Sequence, residues 1–358
     1  MRAVEVTALG SFRLVADRPV PVPRAGEVRI RVRAAGICGT DVHICRGDPS
    51  VAKMVRPPIV LGHEFCGVID ALGPGANGFS GGEYVSAEMH EACGACAACL
   101  AGKRHACQRT RIHGVHLDGC FADYVVVPAG NVVRLPRSLP EKVGAILDPL
   151  GNAVHTAFKV DLRGRRVAVV GMGPIGAMTA EVAAFAGASR IFVADVKPRA
   201  LERARAWVAR RDLGERVEVL DVSAPVREEA IARVLAATEG GVDVAMEISG
   251  HPNGINDAIR MTRGGGDVVL LGIPRAETVP IEGFGERVIF RGLTLHAIIG
   301  REMFATWERM LDLLARGMEV EPFVTSEVPL ERFPEALERF ASGEEQKVVL
   351  RIGEGSGR

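Results

Sequence analysis

The sequence predicts an α/β chain of two domains, a mostly β domain followed by a doubly wound parallel sheet. Three observations predict it. Up to residue 150 the β-type runs are short and broken by Gly and Pro turns such as Gly73-Pro74-Gly75 and Gly81-Gly82, the punctuation of a β domain. From 151 to 295 apolar strand-like runs alternate with helical stretches, the pattern of a parallel sheet covered on both faces. From 296 to 358 a β run, a helical segment and a final strand-like run follow, and this stretch is expected to return to the first domain.

In the first domain the expected strands are Val28 to Arg33, Pro58 to Leu61, Cys66 to Ala71, Glu83 to Ala87 and Phe121 to Val127. In the second they are Val167 to Val170, Arg190 to Ala194, Val217 to Leu220, Val242 to Ile248 and Val268 to Leu271, with helices such as Ile175 to Ala186 and Pro198 to Ala209 between them. The last stretch reads as strand Leu293 to Ile299, helix Glu302 to Arg316 and strand Lys347 to Ile352. Trp307, Met310, Leu311 and Leu314 recur at helical spacing and form a buried face.

Composition narrows the function. The chain has 358 residues, 47% hydrophobic and 25% charged, enough for two ordinary cores. Lys+Arg and Asp+Glu balance at 44 each and aromatics are 5%, which argues against a nucleic-acid partner. No apolar run reaches the roughly 18 residues of a membrane span, and the start, Met1 to Val6, lacks an apolar signal core. Eight cysteines without such a signal favour metal binding over disulfides and a cytoplasmic setting.

Three constellations carry chemistry. Gly171-Met172-Gly173-Pro174-Ile175-Gly176 follows an apolar strand and opens a helix, a pattern that accepts a dinucleotide pyrophosphate on backbone N–H groups. The next strand ends in Asp195, a carboxylate suited to ribose hydroxyls and repellent to a 2′-phosphate, which favours NAD over NADP. The plainer role for Asp195 is to cap the helix after it, and the nearby Arg199 could accept a phosphate. Next, Cys93-x2-Cys96-x2-Cys99-x7-Cys107 sets four thiolates within fifteen residues, which suits a closed structural zinc site and makes isolated free cysteines the poorer reading. Last, Cys38, His63 and Glu64 form a mixed thiolate, imidazole and carboxylate set that can leave a coordination position open for an alcohol. Thr40 and His43 stand close in sequence to Cys38 and can pass a proton outward, although either residue alone would read as a surface hydrogen-bonding group. Cys66 reads as packed core, and His90, His105, His113, His116 and His155 as structural.

Together, Gly36-Ile37-Cys38-Gly39-Thr40-Asp41, Gly62-His63-Glu64, the cysteine lobe and the Gly-rich loop resemble the zinc-containing medium-chain dehydrogenase superfamily over nearly the whole chain. Three further stretches resemble its L-threonine-oxidising branch: Thr40 to Ile44, Asp148 to Thr156, and Gly300 to Trp307. The resemblance implies a GroES-like catalytic domain and a Rossmann domain. It implies a catalytic zinc on Cys38, His63 and Glu64, with Asp148 beside it, and a structural zinc on Cys93, Cys96, Cys99 and Cys107. It implies a proton relay through Thr40 and His43, and NAD contacts at Gly171, Gly173, Ile175, Gly176, Asp195, Arg199, Leu271, Gly272, Ile273, Ile298 and Ile299. The expected assembly is a homotetramer acting on a small molecule, with no nucleic acid or membrane partner. A polyol or diol dehydrogenase and a non-catalytic zinc and nucleotide-binding regulator are the alternatives. Two departures stand out: Cys45 to Ser50 replaces an aromatic, acidic segment, and Ala209 to Arg216 is longer than the usual turn and reads as surface elaboration.

Overall fold

The computed structural model describes residues 1–49 and 51–353. It divides into two compact units. The first comprises 1–149, 302–307 and 320 onward; the second comprises 150–301 and 308–319. The expected assignment of all of 296–358 to the first domain is therefore corrected: 296–301 and 308–319 cluster with the second unit. Both boundaries that matter for the site fall inside helices, Leu147–Ala157 and Ala305–Ala315, so neither is marked by a Gly- or Pro-rich linker.

The first unit is built on a sheet ordered Val132–Arg134, Tyr84–Ala87, Phe65–Leu72, Glu27–Gly36, Val348–Arg351 and Ser326–Pro329, with Tyr124–Pro128 also on Glu27–Gly36. A smaller sheet runs Ser11–Val15, Ala3–Ala8 and Ile59–Val60. Alternation along Glu27–Gly36 turns Val28, Ile30 and Val32 into the core while Arg29, Arg31 and Arg33 stay outside it, the period of two that a half-solvated antiparallel strand requires. Cys66 is fully buried on the next strand, as its apolar setting predicts.

The second unit is a parallel sheet ordered Val217–Asp221, Arg190–Asp195, Arg166–Val170, Val242–Glu247, Thr262–Leu270 and Thr294–Ala297. Its central strands are apolar without alternation because helices cover both faces; Val167, Val169, Ile191 and Val193 are all fully buried. The chain order reverses between Arg166–Val170 and Val242–Glu247, and the crevice beyond the carboxyl ends of those strands is where such sheets bind ligands. The segment after Ala209 is more than surface elaboration: Arg211 pairs with the fully buried Glu181 at 3.1 Å, and Glu181 also accepts from Trp207 Nε1 at 2.7 Å. Among the described residues no helix is long and apolar enough to cross a membrane.

Candidate active site

Two chain segments converge to make the mixed cluster. The strand Glu27–Gly36 delivers Cys38 just past its end, and the antiparallel register that pairs Ala35 with Phe65 lays His63 and Glu64 alongside. Gly36 N–H donates to the Glu64 carbonyl at 2.9 Å, which fixes that alignment. The Leu61–Glu64 turn is held by 119–121: Cys120 N–H donates to Gly62 O at 3.0 Å and Phe121 N–H to Leu61 O at 2.8 Å. Gly62 has φ +91°, and a Cβ there would lie 2.2 Å from the Phe121 ring, so no other residue fits the turn. As a result Cys38 Sγ, a ring nitrogen of His63 and a carboxylate oxygen of Glu64 lie within 4.8 Å of one another.

The electrostatics of this cluster favour a cation. Burial pulls the His63 imidazole down, but the Cys38 thiolate beside it, with Asp41 and Asp148, outweighs that and lifts it to about 10. Asp41 also receives Cys38 N–H at 2.8 Å and so orients the ligand-bearing turn. Glu64 is almost fully buried, which pushes its carboxyl up. Its Oε2 faces Lys347 Nζ at 2.5 Å, while Oε1 is buried with no hydrogen-bond partner. A buried carboxylate oxygen without a donor, next to a thiolate and an imidazole, fits a bound zinc.

Thr40 Oγ1 lies 3.8 Å from Cys38 Sγ, and His43 follows three residues later on the helix Gly39–Cys45, hence on the same side. His43 Nδ1 is 2.9 Å from Asp48 Oδ2, so the departing loop after Ile44 orients this imidazole. Arg46 engages a carboxylate of its own chain, Glu338 at 3.1 Å, while Ser50 lies outside the described residues.

Sequence reasoning missed three contributors. Lys347 is one: a buried lysine just before the strand Val348–Arg351, without any motif to announce it. Glu88 and His90 are the others. Trp307 Nε1 donates to Glu88 Oε2 at 3.0 Å, and Glu88 Oε1 lies 2.7 Å from His90 Nδ1. His90, Glu88 and Asp148 in turn form a close group. Trp307 is thus buried as predicted but is a hydrogen-bond donor as well as packing; Met310 is buried with it, while Leu311 and Leu314 are half-buried.

The four cysteines also meet. Sγ–Sγ distances are 3.5 Å for Cys96–Cys99, 3.9 Å for Cys96–Cys107 and 4.0 Å for Cys93–Cys99. Four sulfurs at zinc–thiolate distance around a tetrahedral ion would be about 3.8 Å apart, so the set fits zinc without rearrangement. Cys107 Sγ accepts the N–H groups of Cys93 and Arg109, each at 3.3 Å. The Ala95 N–H and then the Arg109 guanidinium bring the Cys93 thiol down to about 5, a thiolate near neutral pH.

In the second unit the Gly-rich loop has the shape a dinucleotide needs. A Cβ on Gly176 would lie 1.8 Å from Gly171 O, which enforces close helix–strand packing, whereas nothing lies within 4 Å of a Cβ position at Gly173. The open face at Gly173, over the start of helix Pro174–Phe185, is a cradle that a pyrophosphate fits. Asp195 is held by local backbone: Oδ1 accepts Val196 and Lys197 N–H at 2.7 and 2.8 Å just ahead of the next helix, and Oδ2 accepts Met172 N–H of the Gly-rich loop at 2.6 Å. Arg199 is exposed on the first turn of the next helix. Leu271 and Gly272 are half-buried, Ile298 is buried, and Ile273 and Ile299 are exposed.

Comparison with known proteins agrees with this geometry. Residues 24–137 match the alcohol dehydrogenase GroES-like domain, and 174–316 match the zinc-binding dehydrogenase domain. An L-threonine 3-dehydrogenase of Bacillus licheniformis is 41% identical over 95% of this chain and 94% of its own. The chain belongs to the zinc-binding dehydrogenases. Another relative, the L-threonine 3-dehydrogenase of Legionella pneumophila, is 40% identical over 93% of this chain and 95% of its own. An alcohol dehydrogenase from Thermus sp. ATN1 has the same fold with a TM-score of 0.86 and 31% identity, covering 98% of this chain and 100% of that one. The 2R,3R-butanediol dehydrogenase of Bacillus subtilis superposes with a TM-score of 0.84 at 26% identity, over 98% of this chain and 99% of that one. As a zinc-binding dehydrogenase the chain is an oxidoreductase that uses zinc and NAD on a small-molecule substrate, with a Rossmann unit and a GroES-like one. The non-catalytic regulator is thereby set aside.

Proposed function

We propose that this zinc-binding dehydrogenase oxidises the hydroxyl of L-threonine to 2-amino-3-oxobutanoate while NAD+ is reduced to NADH. In this reading Cys38, His63 and Glu64 hold the catalytic zinc, Asp148 flanks it, and Cys93, Cys96, Cys99 and Cys107 hold a structural one. Bound zinc supplies Lewis acidity that makes an alcohol hydroxyl easier to deprotonate near neutral pH. The chain's own groups take that proton: Thr40 Oγ1 beside Cys38 receives it, and the half-exposed imidazole of His43, steadied by Asp48, passes it to water. Asp41 and Lys347 keep Cys38 and Glu64 oriented while this happens. Gly171, Gly173, Ile175 and Gly176 cradle the cofactor, with Asp195, Arg199, Leu271, Gly272, Ile273, Ile298 and Ile299 as its further contacts.

One observation carries the substrate reading. The Trp307 stretch reaches His90 and Asp148 through Glu88, so the part of the chain that resembles threonine-oxidising relatives is tied to the metal cluster. The identity of about 40% to curated L-threonine 3-dehydrogenases supports it. A diol substrate is the rival, supported by the likeness to the butanediol enzyme and by the altered loop after Ile44. The test is NADH formation with L-threonine, 2,3-butanediol, sorbitol and L-serine. L-Threonine should lead in kcat/KM by at least about tenfold, roughly 1.4 kcal/mol of transition-state preference. A diol in first place would overturn the threonine reading and leave the dehydrogenase intact.

A cytoplasmic homotetramer without nucleic-acid or membrane partners completes the proposal. Thr294–Ala297 is an edge strand of the parallel sheet, and Phe284, Ile289 and Phe290 nearby in sequence are exposed. Such an edge with apolar flanks supports pairing with a second copy, which the mass in solution would reveal.

A further inference from the structure

The crevice at the switch point of the parallel sheet contains a buried carboxylate that the reading above leaves without a role. Glu247 is the last residue of strand Val242–Glu247 and is fully buried. Its Oε1 accepts Ser249 N–H at 2.8 Å, the Ser249 hydroxyl, and Gly250 N–H at 3.1 Å; Oε2 is also 3.1 Å from Gly250 N–H. Its backbone carbonyl accepts Leu271 N–H at 2.9 Å and Gly272 N–H at 3.2 Å. One residue therefore gathers the donors of two turns at the carboxyl edge of the sheet.

Those turns touch the Gly-rich loop and each other. A Cβ at Gly171 would lie 2.8 Å from Ser249 N, and one at Gly272 would lie 2.0 Å from Gly250 N and 2.7 Å from Glu247 Oε2. Ser249 Oγ also accepts His251 N–H at 3.1 Å, which links the turn to the start of helix Pro252–Met261. The turns interlock through backbone: the Glu247 carboxylate satisfies the N–H groups of Ser249 and Gly250, and its backbone carbonyl those of Leu271 and Gly272.

We propose that Glu247 is the positioning residue of the NAD crevice, locking the Ser249–Gly250 turn against Gly171 and Gly272 and so setting cofactor affinity. The proposal rests on NAD binding at this crevice. Glu247 does not touch the reacting atoms; it acts through the turn. A glutamine keeps one acceptor oxygen but turns an NH2 toward Gly250 N–H, so it retains only part of the lock.

The test is titration of NADH fluorescence with the zinc-loaded wild type, Ser249→Ala, Glu247→Gln and Glu247→Ala, with zinc content and melting temperature measured on each. Ser249→Ala removes the hydroxyl that donates to Glu247 and accepts His251 N–H and is expected to weaken NADH about fivefold, Glu247→Ala more than about tenfold, with Glu247→Gln between them. KM for NAD+ should rise in the same order while kcat at saturating NAD+ and zinc content stay at wild-type values. Ser249 is exposed, so its variant folds even where Glu247→Ala does not. Wild-type NADH affinity in Ser249→Ala and Glu247→Gln, or a fall in kcat and zinc content in step with KM, overturns the proposal. Failure of the wild type itself to bind NADH would instead overturn the NAD reading beneath it.

Discussion

Replacing Lys347 by methionine isolates the electrostatics of the metal cluster. Lys347 and Glu64 have side chains 2% and 1% exposed, with Nζ 2.5 Å from Oε2, and Nζ also donates to Ile37 O at 2.6 Å. Methionine fills similar space without the charge, so the buried Glu64 carboxylate loses its ammonium partner. Breaking one side of such a pair costs about 3–5 kcal/mol. That cost applies to the metal-free protein. When zinc is bound, the divalent charge stands in for the missing ammonium, and the penalty shrinks. Binding and stability are linked, so each ~1.4 kcal/mol by which zinc narrows the gap is a tenfold tightening of zinc in the variant. The assay is urea unfolding of wild type, Lys347→Met and Lys347→Arg, each zinc-stripped and zinc-loaded, alongside competition for zinc with a chelator. The expected result is a large loss for metal-free Lys347→Met, a smaller loss when loaded, tighter zinc, and near wild-type behaviour for Lys347→Arg. Equal destabilisation in both states with unchanged zinc affinity would refute the reasoning, because Glu64 would then not face the metal.

Other expectations follow from the same geometry. Cys93→Ser removes one corner of the sulfur tetrahedron, so zinc per chain measured by mass spectrometry should fall by one equivalent while NADH affinity holds. Gly176→Ala forces a Cβ to 1.8 Å from Gly171 O and should abolish NADH binding with zinc content unchanged, as a fluorescence titration would report. In the parallel-sheet unit, burial pushes the Asp243 carboxyl up, but its bonds to Arg166 and Arg263 outweigh that and hold it well below the usual carboxylate range. Its stabilisation is therefore complete above the unfolded value of about 3.9 and drains as pH falls below it toward the folded value. Asp243→Asn should cost about 1.5–3 kcal/mol at pH 7 and flatten this acid limb, measured by denaturant unfolding across pH.

Much of this was legible in the chain because it depends on local sequence. The buried parallel strands declare themselves as unbroken apolar runs, Gly171 to Gly176 needs only its own turn, and the four cysteines lie within one loop. What the sequence hid is what depends on long-range pairing. Lys347 meets Glu64 from the far end of the chain, brought there by the pairing of Val348–Arg351 with Glu27–Gly36. Glu88 and His90 gained meaning only when Trp307 reached them across 219 residues. The boundary near 150 was found, but its position inside a helix was not, since a helix continues across it without a compositional break. The clustering of 308–319 with the second unit was likewise invisible, because helix Ala305–Ala315 runs through that boundary without a Gly or Pro to mark it.

The central claim is that Cys38, His63 and Glu64 hold a zinc ion apart from the one in the cysteine lobe. Anomalous scattering at the zinc edge from crystals of the zinc-loaded protein tests it most directly. The account predicts two peaks per chain, one within about 2.0–2.3 Å of Cys38 Sγ, a His63 ring nitrogen and a Glu64 oxygen, the other among Cys93, Cys96, Cys99 and Cys107. A single peak in the cysteine lobe, with Glu64 still turned to Lys347 and no density among Cys38, His63 and Glu64, would contradict it.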